Sequence, residues 1–334
     1  MTDEQAPRDL GATLRAAAAV LASAGVASPR HDAEALAAHV LGTSPGALRT
    51  DLARGALRLD PAQAAGLSAL VSRRAGREPL QHLIGTAAFR HLELAVGPGV
   101  FVPRPETEVV AQVAIDAARA IDAGRPLPLR TDADGAVRVV DLCTGSGAIA
   151  LAVATEVPGT LTWAVELDAA AHAWAERNVA AVAAAHPQAR VTLLRGDART
   201  ALHELDGTVD VVVSNPPYVP PGAVPKDPEV ARHDPAVALY GLGPDGLEVP
   251  RGVVAAAARL LRPGGLLVME HAEVQAAAAR ELLAAGGGWE RVETRTDLTG
   301  RERMVVAVRS GLDAAGSRTT PAPATIPLVK DSAP

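Results

Sequence analysis

Residues 138–154 read RVVDLCTGSGAIALAVA. After Arg138 the first residues are almost continuously apolar, as in a strand covered on both faces, with Asp141 the one acid among them. A loop of small residues follows, Cys143, Thr144, Gly145, Ser146 and Gly147, and the apolar run beyond it predicts a helix over 148–156. Strand, tight turn and helix make the opening of an α/β unit. Gly145 and Gly147 can adopt positive φ and let a ligand approach the backbone, and the first N–H groups of the helix are left to face it.

Working outward, the alternation continues. Strands are predicted at 161–167, 190–197, 209–215 and 266–272, and helices at 169–185, 248–262 and 273–285. RVETRT (291–296) and RMVVAVR (303–309) have the spacing of an antiparallel pair at a sheet edge. The result is a doubly wound, Rossmann-like α/β sheet. Upstream, Leu10, Leu14, Ala17, Ala18 and Leu21 recur at helical spacing and stop at Gly25. Ser28-Pro29 opens a second helix that ends before Gly42, and Asp60-Pro61-Ala62-Gln63 opens a third with a capping acid and Pro at its first position. Phe89, Leu92, Leu94, Val96, Val100 and Val102 predict a β-hairpin turning at Gly97-Pro98-Gly99. PRPETE (103–108) then starts a helix to about Ile121. The expected organisation is a small helical docking domain at 1–85, a hairpin linker at 86–105, an α/β domain at 106–310 and a disordered tail at 311–334.

Composition narrows the function classes. The 334 residues carry a net charge of −6, and residues 1–85 balance nine Arg against eight acids, so no basic face for a nucleic-acid duplex is evident. Cys143 is the single cysteine, which excludes an intramolecular disulfide framework and points to a reducing cytoplasm. The acidic, polar start MTDEQAPRDL is no signal peptide, and no stretch approaches the ~20 apolar residues of a membrane span. Aromatics are scarce, with two Tyr, two Phe and three Trp, so an aromatic at a strand end attracts notice.

Alone, the loop fits a dinucleotide, S-adenosylmethionine (AdoMet) or a mere tight turn. Leu151 stands where a nicotinamide fingerprint has its third glycine, which argues against the first. Glu166 ends the next strand about 20 residues on, where an acid can accept both hydroxyls of a ribose. Asp197, at the end of the third strand, is positioned to reach an adenine amino group. Asp141 points toward the methionine end if the ligand is AdoMet, whereas Asp168 reads as the cap of helix 169–185. Cys143 has no His or second Cys nearby in sequence and reads as a packing residue whose backbone lines the pocket.

A second site closes the fourth strand. Residues 211–220 are VVVSNPPYVP. The prolines stiffen the turn and leave the Pro216 carbonyl beside the amide oxygen of Asn215. Two fixed acceptors suit an –NH2 group, which has two hydrogens to donate. Tyr218 supplies a flat face for a planar amide or base, next to Pro217.

A glycine loop followed by N-P-P-Y resembles the amino-group methyltransferases, which act on adenine, cytosine or glutamine nitrogen. REPLQHLIG (77–85), FVPRPETE (101–108) and DLTGRERMVVAVR (297–309) make the chain, from about residue 10 to 309, resemble the HemK/PrmC family of peptide chain release factor glutamine methyltransferases. The resemblance implies a class I AdoMet-dependent methyltransferase sheet behind a helical N-terminal domain and a hairpin. It implies S-adenosyl-L-methionine held by Asp141, Cys143–Gly147, Glu166, Asp197, Ala198 and Asn215, and a release factor glutamine held by Asn215, Pro216, Pro217 and Tyr218, with Arg104 at the entrance. Asn215, Pro216 and Tyr218 would carry the chemistry, with neither a metal nor a dedicated base. The chain departs from many relatives in having Cys143 for a glycine, Glu166 for an aspartate and Ala198 where some place an aromatic. Arg104 and Glu106 read as lining the acceptor entrance, and equally Glu106 or Thr107 reads as a simple cap of the following helix. A nucleic-acid N6-adenine methyltransferase is the alternative with the same N-P-P-Y chemistry.

Overall fold

A computed structural model describes residues 8–55, 58–123 and 135–311. It divides into two compact units: Met1–Thr86 with Val96–Pro98 and Val224–Asp234, and Ala87–Ala95 with Gly99–Ala223 and Pro235–Pro334. The tail assigned to 311–334 lies outside the described residues from 312 onward, as do residues 124–134.

The first unit is helical: α1 (Leu10–Ser23), α2 (Pro29–Leu41), α3 (Pro45–Ala53), α4 (Pro61–Ala75) and α5 (Leu80–Ile84). Its core is aliphatic, with Leu10, Leu21, Leu36, Leu48, Leu59 and Leu67 almost fully buried. The starts are sequence-encoded. Asp60 accepts from the Gln63 N–H at 2.8 Å while the Gln63 side chain accepts from the Asp60 N–H at 3.0 Å, closing the capping box. Helix α3 is an addition to the sequence reading; Ser44-Pro45 starts it as Ser28-Pro29 starts α2, and Ser44 Oγ accepts from Ala47 N at 3.1 Å.

The segment Val224–Asp234, which follows the N-P-P-Y stretch in sequence, belongs to this helical unit. Arg74 holds it there. Its Nε donates to Asp32 at 2.7 Å and its Nη1 to Glu229 at 2.7 Å, and Arg77 Nη2 donates to the other Glu229 oxygen at 2.5 Å. Arg74, Asp32 and Glu229 are all buried, so neither carboxylate has water as a substitute partner. Arg74→Met is expected to lower the unfolding free energy by about 3–5 kcal/mol, the cost of stranding buried charge. Urea denaturation of the full chain, followed by circular dichroism, checks it.

Strands β1 (Thr86–Phe89) and β2 (Leu92–Ala95) form the hairpin, which belongs to the second unit from Ala87 on, and the turn is Arg90-His91 rather than Gly97–Gly99. Arg90 takes φ 53°, and its partners account for a non-glycine there. Its N–H donates to Glu108 Oε1 at 3.0 Å, and its guanidinium donates to Gln112 at 2.7 Å and to Glu156 at 2.5 and 2.9 Å. Gly99 serves close packing instead: a Cβ there would stand 2.9 Å from the Ala170 Cβ.

Helix α6 (Pro105–Ala123) leads to a seven-stranded sheet built from β3 (Arg138–Leu142), β4 (Leu161–Glu166), β5 (Arg190–Arg195), β6 (Val209–Ser214), β7 (Leu261–Glu270), β8 (Trp289–Thr296) and β9 (Glu302–Arg309). The order is β8-β9-β7-β6-β3-β4-β5. The five strands from β7 to β5 are parallel and β8 and β9 are antiparallel, the expected edge pair. Helices α7 (Ala148–Glu156), α8 (Ala169–Ala185), α9 (Glu248–Leu260) and α10 (Ala276–Gly286) complete the alternation. Two apolar clusters fill the unit. One runs through Val139, Val211 and Val268, the other through Val140, Val212 and Leu267, alternate residues of the same strands. Helix α9 ends at Leu260, earlier than the expected 262, because Leu261 already pairs with Val209 and a register shift accommodates Pro263-Gly264-Gly265. Among the described residues no helix is long and apolar enough to cross a membrane.

Candidate active site

Strand register brings the site together. Leu142 pairs with Val165 on one side and Ser214 on the other, and Ser214 pairs with Met269. The next residue on each strand is therefore Cys143, Glu166, Asn215 and Glu270, one row along the carboxyl edge. The sheet order reverses between β3 and β6, where ligands of open α/β sheets collect. Ser214 Oγ donates to the Leu142 carbonyl at 2.6 Å, tying the two strand ends on either side of that point.

The glycine loop is strained and tightly held. Cys143 has φ 64°, Gly145 58° and Gly147 85°, so even the cysteine sits in the left-handed region. Burial pushes the Cys143 thiol well above its ordinary value, and Glu166 and Asp141 add to the shift, which keeps it neutral and no nucleophile. Asp141 Oδ2 accepts from Thr144 Oγ1 at 2.6 Å and from Ala150 N at 3.1 Å, clamping the loop to α7. Asp141 Oδ1 is buried without a hydrogen-bond partner, and burial raises the carboxyl to about 7. Asn178, unmarked in the sequence reading, donates to the Ser146 carbonyl at 2.9 Å and pairs with Ala95 through both its amide groups.

Glu166 Oε2 accepts from Gly145 N at 2.8 Å and Oε1 from Asp168 N at 2.8 Å. Burial raises its carboxyl despite those bonds. Each oxygen keeps a lone pair for a further donor. Asp168 caps α8 by accepting from Ala170 N and Ala171 N, as its position predicts. Asp197 is turned to Arg199, whose side chain and N–H donate to it at 2.7–3.1 Å and hold it below the usual carboxylate range. Ala198 is buried in the same cluster as Leu142 and Val165.

Beyond the strand, Asn215 Nδ2 donates to Thr107 Oγ1 at 3.2 Å, and Thr107 Oγ1 donates to Glu270 Oε2 at 2.8 Å. Tyr218 OH donates to the other oxygen, Glu270 Oε1, at 3.3 Å. Burial pushes Glu270 up to about 7, opposed by Thr107 and by the positive charge of Arg303. Arg303 is itself held by Asp297 at 3.0 Å, and the same Asp297 accepts from the N–H groups of Thr299 and Arg301. This is what the DLTGRER stretch builds. Of the PRPETE segment, Thr107 reaches the N-P-P-Y turn, while the Arg104 guanidinium lies 4.9 Å from the Phe101 ring centre. His271 is buried and engaged with the adjacent Ala272 carbonyl at 2.9 Å.

The turn itself is locked from behind. Val219 N donates to Leu239 O at 2.8 Å, Gly241 N to Val219 O at 3.1 Å and Gln275 Nε2 to Tyr218 O at 2.9 Å. Gly241 and Gly246 let the 240–247 loop touch the turn backbone. Sequence reasoning missed Glu270, Arg303, Gly241 and Gly246. The only local signal for Glu270 was an acid inside the apolar run LLVMEHA.

A small-residue loop at the head of α7, a buried acid ending the second strand and an N-P-P-Y turn beside them, all on this strand order, define a class I AdoMet-dependent methyltransferase. Two family models match the chain: a PrmC N-terminal domain over residues 12–85 and a methyltransferase small domain over 106–229. The release factor glutamine methyltransferase of Streptomyces coelicolor is 48% identical over 288 residues, 86% of this chain and 93% of that one. That of Mycolicibacterium smegmatis is 48% identical over 304 residues, 90% of this chain and 98% of that one. A 4-amino-L-phenylalanine/4-methylamino-L-phenylalanine methyltransferase of Streptomyces pristinaespiralis is 38% identical over 304 residues, 90% of this chain and 95% of that one. The chain belongs to the release factor glutamine methyltransferase family.

Proposed function

We propose that this chain transfers a methyl group to the side-chain amide nitrogen of the glutamine in the Gly-Gly-Gln motif of peptide chain release factors, and so modulates translation termination. The observation that carries the reading is the pair of acceptors on a stiff turn, Asn215 Oδ1 and the Pro216 carbonyl, in a chain similar to release factor glutamine methyltransferases over nearly its whole length. S-adenosyl-L-methionine, when bound, supplies a sulfonium-activated methyl open to in-line displacement. The residues present suit it: Glu166 for the ribose hydroxyls, the unpartnered Asp141 Oδ1 toward the methionine end, and the backbone from Cys143 to Gly147. Asp197 and Ala198 flank the adenine end in this reading, with Asp197 sharing its carboxylate with Arg199.

Asn215 and Pro216 each accept one N–H of the substrate amide and favour charge building on its nitrogen. Tyr218 and Pro217 give the amide plane a surface to rest on, and Arg104 lies toward the entrance. The work is positioning and electrostatics, and the proton released on nitrogen leaves to water without a dedicated base. In this reading the helical region 1–85 docks the release factor, 86–105 links it to the catalytic domain 106–310, and the protein acts in the cytoplasm as a monomer with no nucleic-acid partner. The net charge of −6 and the single cysteine support that setting.

Labelled AdoMet is incubated with purified release factor and with a factor whose Gly-Gly-Gln glutamine is changed. Label is expected on the first alone; label on the altered factor, or on DNA or tRNA, overturns the reading. The Streptomyces pristinaespiralis relative favours a second acceptor class, a free aromatic amine, and 4-aminophenylalanine in the same assay tests it. Glu166→Ala is expected to weaken AdoMet binding about 50-fold by removing an acceptor of two hydroxyls and freeing Gly145 N. Isothermal titration measures it.

A further inference from the structure

We infer that Glu270 and Thr107 are positioning residues that set which way the Asn215 amide faces. This rests on the acceptor role given to Asn215 above. An asparagine amide can present its oxygen or its –NH2 to a ligand, and the two rotations differ little in shape. Only the oxygen can receive an N–H from a substrate amide. At the end of β6 the choice is made by a one-way relay. Glu270, ionised, can only accept. It accepts a hydrogen bond from the Thr107 hydroxyl at 2.8 Å on one oxygen and from the Tyr218 hydroxyl at 3.3 Å on the other. Thr107 has then spent its single hydrogen and can only accept, so it takes an N–H from Asn215 Nδ2 at 3.2 Å. With Nδ2 held toward α6, Oδ1 is directed away from Thr107, toward the acceptor side. Glu270 touches no substrate in this scheme; it acts through Thr107 on Asn215 and holds Tyr218 at the same time.

Burial favours the neutral form of Glu270, and most of the groups around it favour the ionised one. Arg303 faces it with a positive charge, Glu106 opposes that charge, and Thr107 and Tyr218 each bring a hydroxyl. Burial pushes its carboxyl to about 7, so ionisation here depends on those donors and on Arg303. The strand register places Glu270 next to Met269, the partner of Ser214, and opposite Met304, the neighbour of Arg303, so the arrangement is built by the sheet.

The chain has two asparagines, Asn178 and Asn215, which makes a direct test available. In protein labelled with 15N at asparagine only, the side-chain amide protons of Asn215 are expected to shift and to exchange with water faster in Thr107→Val, and to keep their wild-type protection in Thr107→Ser. Asn178, held by Ala95 and Ser146, is the internal control and stays unchanged. With release factor as acceptor, Thr107→Val and Glu270→Gln are expected to lower kcat/KM about 30-fold, with AdoMet affinity within threefold of wild type, and Thr107→Ser to recover most of the loss. An Asn215 amide signal indifferent to Thr107→Val overturns the relay. So does an equal loss in Thr107→Ser and Thr107→Val, or a loss shared by AdoMet binding and thermal stability, since those mark a packing role. Should wild type place no methyl on the release factor, the proposed acceptor fails while the amide spectrum still decides the relay.

Discussion

Asn215→Ala is expected to abolish methyl transfer to release factor, lowering kcat by about 1,000-fold or more, while AdoMet affinity changes by less than about threefold. The asymmetry follows from where the side chain stands. Asn215 is one residue beyond Ser214, next to the loop that begins at Cys143, and its only described side-chain bond is to Thr107. Removing it takes away one of two acceptors that orient the substrate amide and favour charge on its nitrogen. The glycine loop and Glu166 are untouched. Asn215→Asp is the informative companion, because it keeps an acceptor but brings a second carboxylate toward Glu270 through the shared Thr107. Filter assays with labelled AdoMet and calorimetric titration read the two quantities separately. Retained turnover in Asn215→Ala would sink the role given to this residue.

Gly241→Ala is expected to be nearly as damaging, although Gly241 itself is given no contact with a ligand. A Cβ at 241 would stand 1.8 Å from the Gly246 carbonyl oxygen and 2.6 Å from that of Pro217. Both are backbone atoms, so no rotamer change relieves the clash. The 240–247 loop must lift from the turn, and the bond from Gly241 N to Val219 O at 3.1 Å is lost with it. Overpacking of this kind costs about 3 kcal/mol. Displacing the Pro216 carbonyl by as little as an ångström is expected to lower kcat/KM about 100-fold. Gly286→Ala, with nothing within 4 Å of the added carbon, is the control and should behave as wild type in both assays. Wild-type stability and turnover in Gly241→Ala would refute the close packing of loop on turn.

Much of the fold was legible because local rules agreed with the tertiary result. Helices 148–156 and 169–185 match the described bounds, and the capping box at Asp60 and Gln63 formed as its spacing predicted. The edge pair expected at 291–296 and 303–309 from spacing alone forms over Trp289–Thr296 and Glu302–Arg309. The hairpin was misread at its turn. Gly97-Pro98-Gly99 is the stronger local signal, yet Arg90 turns the chain because Glu108, Gln112 and Glu156, remote in sequence, bind it. Tertiary ion pairs outweighed turn propensity there.

The sequence by itself determined the class of this protein: a glycine loop, a strand-end acid and N-P-P-Y are short, contiguous signals whose chemistry is local. It also marked PRPETE, with Arg104 and Glu106 read at the substrate entrance, and DLTGRER, with no role of its own. Only the tertiary structure decided that Thr107 and Arg303 from those stretches meet at Glu270, 163 residues from Thr107 and buried on β7. The physical reason is register. A parallel sheet brings the ends of strands far apart in sequence into one row, and which residue falls next to Asn215 depends on pairings that no local pattern encodes.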